Sequence, residues 1–319
     1  MDLSFLNDLN VTITPHALLK NYTTFRLGGP CLAMIECESA SVLSETIIRL
    51  RQHCAHFIFM GFGSNILASD KGIPAVIVRF SSNTPRITQH GDSLTVEAST
   101  MLHDLANTAV DAGLDGLSKM IGIPGTVGGA ITGNAGAYGE QISDHLRDVK
   151  VLCQDNTLKI IPARDIRFSY RDSEFKSNGM IILEATFDLT PSQTTDLTIK
   201  RDAILEERKF AYTFWQTYPC AGSFFKNVEP TSKAGKRQAA GWFLENSGAK
   251  ELSHKSALIY KDHANIVTHK DQGLAQDVYE LTLKMSDLVK EKFGIELVRE
   301  VRVLGDFDHA PQSKADNYW

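Results

Sequence analysis

The chain has 319 residues, 43% hydrophobic and 22% charged, which favours two or three domains and a globular protein needing no disulfide or metal staples. Lys plus Arg number 33 against 38 Asp plus Glu, a net charge of −5, so bulk electrostatics gives no reason to expect nucleic acid as a partner. Five scattered cysteines (Cys31, Cys37, Cys54, Cys153, Cys220), none in a CxxC pair, argue against a disulfide framework or a zinc site, and with the acidic N-terminus they predict a cytoplasmic chain without a secretory leader.

Ser39 is a candidate N-cap for a helix reaching His53, with Val42, Leu43, Ile47 and Leu50 at near-helical spacing. Phe57 to Met60 is a short apolar run that stops at Gly61, and Ala75 to Phe80 is another; both predict buried strands. Leu94, Val96 and Ala98 alternate with polar neighbours as a half-buried strand does. Ser99 or Thr100 is then placed to cap a helix carrying Leu102, Leu105, Ala106 and Ala109 and ending at Gly113. Met120 to Gly139 holds 20 residues without a charge, enough to span a bilayer, but seven are glycine and Pro124 interrupts them. A spanning helix must satisfy its own backbone, so a glycine-rich loop is predicted there and no membrane association.

Val149, Val151 and Cys153 alternate, as do Leu183, Ala185, Phe187 and Leu189, which predicts two more strands. Residues 190–195 are polar and contain Pro191, a linker pattern. Leu197 to Lys209 is helical in pattern, and residues 275–292 form the strongest predicted helix, with Val278, Leu281, Met285, Leu288 and Val289 on one side and Gly294 past its end. Ile295 to Leu304 predicts a strand, and Asp306 to Trp319 a loose tail. There is no internal repeat.

Two segments carry chemistry. Gly61-Phe62-Gly63-Ser64-Asn65 follows a predicted strand, where a phosphate-binding turn belongs. It is not a Rossmann fingerprint, because Ile66 stands where GxGxxG needs glycine and the next strand carries Arg79 near its end rather than an acid. What remains is either a plain turn or a loop whose successive amides hold a diphosphate. Gly122 to Gly129 and Asn134 to Gly139 form the second segment. That much glycine is tolerable where a ligand approaches the main chain closely, with Tyr138 to pack on a ring and Asn134 to hydrogen-bond one; the alternative is a coil packed in a core.

These segments, with Asn21-Tyr22-Thr23-Thr24-Phe25-Arg26-Leu27-Gly28-Gly29, Ser169-Tyr170-Arg171-Asp172-Ser173, Ala221-Gly222-Ser223-Phe224-Phe225-Lys226-Asn227, His263-Ala264-Asn265 and Glu300-Val301-Arg302, run in one order from about residue 21 to 305. In that order they resemble the UDP-N-acetylenolpyruvoylglucosamine reductase family of peptidoglycan precursor synthesis. The resemblance implies an α+β protein: an N-terminal segment (1–20), an FAD-binding fold of the vanillyl-alcohol-oxidase type in two subdomains (21–190), a smaller α+β substrate-binding domain (196–305) and a flexible tail (306–319). It implies non-covalent FAD on Gly61, Phe62, Gly63, Ser64, Asn65 and Ile66, and on Ile123, Pro124, Gly125, Thr126, Gly128, Gly129, Asn134, Gly136, Tyr138 and Gly139.

The implied reaction uses NADPH, with ping-pong kinetics, to reduce UDP-N-acetylglucosamine enolpyruvate to UDP-N-acetylmuramate. Hydride would reach the enolpyruvyl methylene carbon, and negative charge would develop on the neighbouring carbon and its carboxylate. Such a reaction needs a cation or acid at the carboxylate and a proton donor at the carbon. The resemblance gives the first role to Arg171 and Glu300 and the second to Ser223, with Lys226 and Asn227 at the substrate diphosphate. Read singly, Arg171 is a surface ion pair, Ser223 a turn residue and Glu300 a solvated strand residue. Only 52 residues separate Arg171 from Ser223, as in the shorter family subtype. Val228, where the family often has proline, and residues 214–219 depart from the family pattern. The histidines are not at metal-ligand spacing, so no metal is expected; a monomer is compatible, with a small-molecule nucleotide sugar as partner. A flavin oxidase of the same fold, acting on a sugar or alcohol, is the competing enzyme; a ligand-binding protein without turnover is the competing non-enzyme.

Overall fold

A computed structural model describes residues 2–207, 213–230 and 236–309 of the chain. It divides into two compact units, each assembled from separated stretches: Met1–Thr14, Ala33–Phe62 and Val76–Thr213 in the first, Pro15–Leu32, Gly63–Ala75 and Phe214–Trp319 in the second.

In the first unit, one four-stranded sheet has the order Val11–Pro15, Cys31–Cys37, Ile73–Phe80, Phe57–Phe59, with the last two strands parallel. The helix Ala40–Gln52 forms where expected; the Ser39 hydroxyl accepts from the Val42 amide at 3.3 Å, and Leu43, Ile47 and Leu50 are fully buried. A five-stranded antiparallel sheet has the order Leu158–Pro162, Leu146–Leu152, Ile181–Asp188, Ser93–Glu97, Ile87–His90. The predicted alternation is realised in it. Leu94, Val96, Val149, Val151, Ala185 and Phe187 share one apolar core with the helix residues and with Val76 and Val78 of the first sheet.

Two expectations fail in this unit. The helix Leu102–Asp111 begins after Met101 with no side-chain cap, so neither Ser99 nor Thr100 caps it. The backbone there is engaged elsewhere: Ala98 and Thr100 carbonyls accept from the Gly128 and Val127 amides, and the Leu102 amide donates to Gly125. The strand end is thereby fastened to the glycine-rich segment. Residues 190–195 are likewise more than a linker. Thr190–Pro191 pairs antiparallel with Leu114–Asp115, and Thr194 already starts a helix to Glu207. The rest of the expected helix, to Lys209, lies outside the described residues.

In the second unit, the strands Ser253–His254, Ala257–Ile259 and Val267–His269 pair antiparallel. Helix Ala275–Phe293 buries Val278, Leu281, Met285 and Val289, half-buries Leu288, and ends at Gly294 with φ 68°. The strand expected over Ile295–Leu304 shrinks to Arg302–Leu304, parallel to Ile66–Ala68. Upstream of it the backbone meets residues 224–226 through single hydrogen bonds, Lys226 N to Val298 O and Glu300 N to Phe224 O, each 2.8 Å, rather than a continuous ladder. The start of the expected tail is tied down as well. The Ser69 hydroxyl donates to Asp306 O, Lys71 pairs with Asp308 at 2.6 Å, and Phe307 is buried. Residues 310–319 lie outside the described part. Among the described residues no helix is long and apolar enough to cross a membrane.

Candidate active site

The first unit holds the bare-backbone segment. Thr126 N-caps the short helix Val127–Thr132, its hydroxyl accepting from Gly129 N at 3.3 Å. Gly61 lies against this turn: a Cβ there would stand 3.0 Å from Thr126 Oγ1 and 4.0 Å from Gly129 Cα. Gly129 is exposed, Gly128 and Gly61 are half-buried, and Gly125 and Thr126 are buried beneath Ile123 and Pro124, themselves half-buried. A Cβ on Gly128 would likewise stand 3.0 Å from Ala98 Cβ and one on Gly129 3.3 Å from Thr126 Oγ1, so the glycines let the loop, the helix start and the strand end close on one another while Gly129 stays exposed. Arg79 donates to Gly61 O at 3.2 Å and pairs with Glu36 at 3.3 Å, which fixes the strand-to-loop exit.

The same unit joins two motifs that lie far apart in sequence. Asn134 is fully buried; its amide donates to Gln141 Oε1 at 3.0 Å and to Ser169 O at 2.9 Å. Arg171 donates to the carbonyls of Asn134 and Gly136. Ser173 donates to Thr132 O at 2.8 Å, and Lys176 to Arg171 O at 2.6 Å. The hairpin Phe168–Ser169/Asp172–Ser173 is thus bolted to the Asn134–Gly139 turn, and the Arg171 guanidinium lies 5.2 Å from the centre of the Tyr170 ring. Both its acceptors in the turn are neutral carbonyls, so these bonds orient the cation without cancelling its charge. Tyr138 of that turn is 44% exposed.

The second unit holds Ser223 and Glu300. Ser223 bridges to Ile266, and the Phe224 amide donates to Asn265 O at 2.8 Å. Glu300 N donates to Phe224 O at 2.8 Å, so the Glu300 backbone meets the residue that follows Ser223. Asn65 secures the far side: its side chain donates to Glu300 O at 3.0 Å and its carbonyl accepts from Arg302 N at 3.0 Å. Gly63 O accepts from Thr24 N at 3.2 Å, and the Thr24 hydroxyl donates to Cys220 O at 2.7 Å. Ser64 is half-buried, and Ile66, which opens the parallel strand, is buried. Ser223 is exposed and Lys226 half-buried. The Asn227 side chain accepts from Ala240 N at 3.3 Å, at the start of helix Ala240–Asn246, so it helps to seat that helix. Burial pushes the Cys220 thiol up to about 11, which leaves it protonated and inert near neutral pH.

His263-Ala264-Asn265 is a family motif to which the resemblance assigns no role. Asn265, 2% exposed, accepts from the Phe225 amide at 2.9 Å and donates to the Phe225 carbonyl at 2.8 Å, replacing a missing strand partner for the segment after Ser223. His263 Nδ1 accepts from Asn265 N at 3.2 Å, and burial holds this imidazole below the ordinary histidine value, consistent with a neutral acceptor. A short polar tripeptide between apolar stretches carries no signal of such a role. Among the described residues no cluster of three or more His, Cys, Asp or Glu could hold a metal ion.

Residues 31–161 match an FAD binding domain, and residues 215–304 match the C-terminal domain of UDP-N-acetylenolpyruvoylglucosamine reductase. A UDP-N-acetylenolpyruvoylglucosamine reductase of Carboxydothermus hydrogenoformans is 36% identical, with 90% of this chain and 92% of the relative covered. One from Caldanaerobacter subterraneus subsp. tengcongensis is 34% identical over the same shares of the two chains, 90% and 92%. The crystal structure of the corresponding enzyme from Thermus caldophilus matches with a TM-score of 0.75 at 29% identity, covering 92% of this chain and 99% of that one.

Proposed function

Because this chain belongs to the UDP-N-acetylenolpyruvoylglucosamine reductase family, we propose that Ser223, Glu300 and Arg171 carry its chemistry. The chain is an FAD-dependent oxidoreductase that reduces UDP-N-acetylenolpyruvoylglucosamine in peptidoglycan synthesis. The exposed Gly129 and the half-buried Gly61 and Gly128 leave main chain near the surface of one turn, which supports a cofactor that approaches the backbone closely. Gly61, Phe62, Gly63, Ser64, Asn65 and Ile66 hold the diphosphate, while Ile123–Thr126, Gly128, Gly129, Asn134, Gly136, Tyr138 and Gly139 line the rest. Bound FAD, reduced by NADPH, supplies the hydride for the enolpyruvyl methylene carbon.

The chain's own residues manage charge and protons. The Arg171 guanidinium, oriented by the Asn134 and Gly136 carbonyls, stabilises the substrate carboxylate as its charge grows. Glu300 shares this role at the developing enolate. The Ser223 hydroxyl delivers its proton to the carbon beside the new C–H bond. Lys226 and Asn227 receive the diphosphate, for which a cation and an amide donor suit. NADPH as reductant and a cytoplasmic setting belong to the same proposal.

The observation that supports it is the 2.8 Å bond from Glu300 N to Phe224 O, which brings the Glu300 backbone to the residue after Ser223 although the two segments are far apart in sequence. The test is anaerobic. The FAD-loaded protein is reduced with NADPH, freed of excess and mixed with the enolpyruvyl substrate while flavin absorbance is followed. Rapid return of the oxidised spectrum with muramate product is expected; in Ser223→Ala, reduction by NADPH persists and reoxidation by substrate slows by about 100-fold or more. Normal reoxidation in that variant would remove Ser223 from the proton step. A parent flavin that stays reduced until air enters would point to an oxidase.

A further inference from the structure

Arg171 occupies a backbone conformation that arginine rarely adopts. It is the second residue of the loop Tyr170-Arg171, between the strands Phe168–Ser169 and Asp172–Ser173, and its φ is 54°. A left-handed residue at that place in a hairpin is ordinarily glycine or asparagine, because a Cβ there crowds the following carbonyl oxygen. The turn that Arg171 grips shares the feature, with φ 42° at Asn134 and 53° at Tyr138. Such conformations persist where surrounding bonds over-determine them. The Arg171 side chain is held by the Asn134 and Gly136 carbonyls, and its main chain is held separately. Lys176 Nζ donates to Arg171 O at 2.6 Å and pairs with Asp172 at 3.1 Å, with its side chain 20% exposed. The turn that launches Lys176 is itself fixed. Phe175 is buried in the core of the first unit, the Glu174 amide donates to Arg167 O at 3.1 Å, and the Glu174 carboxylate accepts from Arg167 N at 3.1 Å.

We propose that Lys176 is the positioning residue for Arg171, holding the arginine backbone left-handed so that its guanidinium is aimed before the substrate arrives. The inference rests on the reductase reading and on the role given there to Arg171, and it adds the residue through which that role is maintained. An arginine side chain is long, and its tip can stay near two carbonyls from more than one backbone conformation. Fixing the Arg171 carbonyl removes that freedom, because the main chain can then no longer relax towards the right-handed or extended regions. Lysine suits the task. Its ammonium carries three donors and here serves the Arg171 carbonyl and the Asp172 carboxylate together, which returns the cation to the hairpin that it braces. A guanidinium held in this way needs no reorganisation as charge grows on the substrate carboxylate, so Lys176 acts on the rate of the chemical step more than on substrate affinity.

The experiment is stopped-flow reoxidation of the FAD-loaded, NADPH-reduced protein over a range of enolpyruvyl substrate concentrations. Lys176→Met is expected to lower the limiting rate by about 10- to 100-fold and to move the half-saturating concentration by less than about threefold. Lys176→Arg, which keeps a cationic donor for the Arg171 carbonyl, is expected within about threefold of the parent. In an Arg171→Ala background, Lys176→Met is expected to add less than about twofold, because its effect passes through Arg171. A urea transition on each variant reports folding separately; should Lys176→Met lack a cooperative one, Lys176→Gln takes its place in the same comparison. A limiting rate in Lys176→Met within about twofold of the parent overturns the proposal, and so does a loss in Lys176→Arg as large as in Lys176→Met. An undiminished loss in the Arg171→Ala background also overturns it, since Lys176 would then act on stability or substrate without Arg171. A parent flavin that the substrate fails to reoxidise overturns the reductase reading itself, before any variant is compared, and the proposal with it.

Discussion

Asn265 fastens the backbone after Ser223 with one amide side chain, and it is buried. Its removal strands a donor and an acceptor together. Each unsatisfied buried group costs about 1–3 kcal/mol, so Asn265→Ala should lower unfolding stability by roughly 2–5 kcal/mol, measured by urea denaturation. Asn265→Asp should not rescue it, because a carboxylate accepts from Phe225 N but cannot donate to Phe225 O. A stability within about 0.5 kcal/mol of the parent would show that Asn265 is not the clamp. Ser223, Glu300 and Arg171 were nameable in advance because whole motifs surround them. Asn265 and Asn65 act through the main chain of other residues, and nothing in a side chain's own neighbourhood in sequence announces which distant carbonyl it will reach.

At the scale of elements, the turn Gly136–Gln141 is the part that cannot change. A Cβ on Gly136 would stand 2.2 Å from Glu140 O across the antiparallel pair Gly136–Ala137/Glu140–Gln141. Gly136→Ala must push the hairpin open, and Arg171 loses an acceptor with it. Overpacking of this kind costs about 1–3 kcal/mol, and substrate-driven flavin reoxidation should slow by more than about tenfold. Gly91→Ala, between the strands Ile87–His90 and Ser93–Glu97, is the control: φ is +59° there but a Cβ would meet nothing within 4 Å, so the expected cost is about 1 kcal/mol with reoxidation nearly intact. Unfolding curves and stopped-flow reoxidation on both variants check this. Regular elements were legible from periodicity, as Ala40–Gln52 and Ala275–Phe293 demonstrate. The missing cap at Ser99–Thr100 and the broken strand before Arg302 share one cause: in both places the backbone pairs with a remote segment, which local pattern does not encode.

For the whole molecule, the second unit depends on residues 15–32 and 63–75 as much as on residues 214–319. The strand Ile66–Ala68 pairs with Arg302–Leu304, Thr24 holds Cys220, and Asp70 accepts from Gln276 N at 3.1 Å. A polypeptide of residues 214–319 alone should therefore fail to fold, showing poorly dispersed amide resonances and no cooperative melting. A sharp, cooperative transition in that fragment would mean that the early segments are ornaments on an independent domain. A polar Pro-containing stretch at residues 190–195 suggested a consecutive boundary because composition reports flexibility along the chain and not which stretches meet later. The interleaving has a temporal side too. As the ribosome releases the chain from its N-terminus, Asn65 emerges long before Glu300, whose carbonyl it binds across a separation of 235 residues. Until residues 302–304 have emerged, Leu67 and Ala68 lack the strand that pairs with them. The unit that carries Ser223 is consequently completed late, with a slow loop closure to make and an interval in which chaperones and aggregation compete for it.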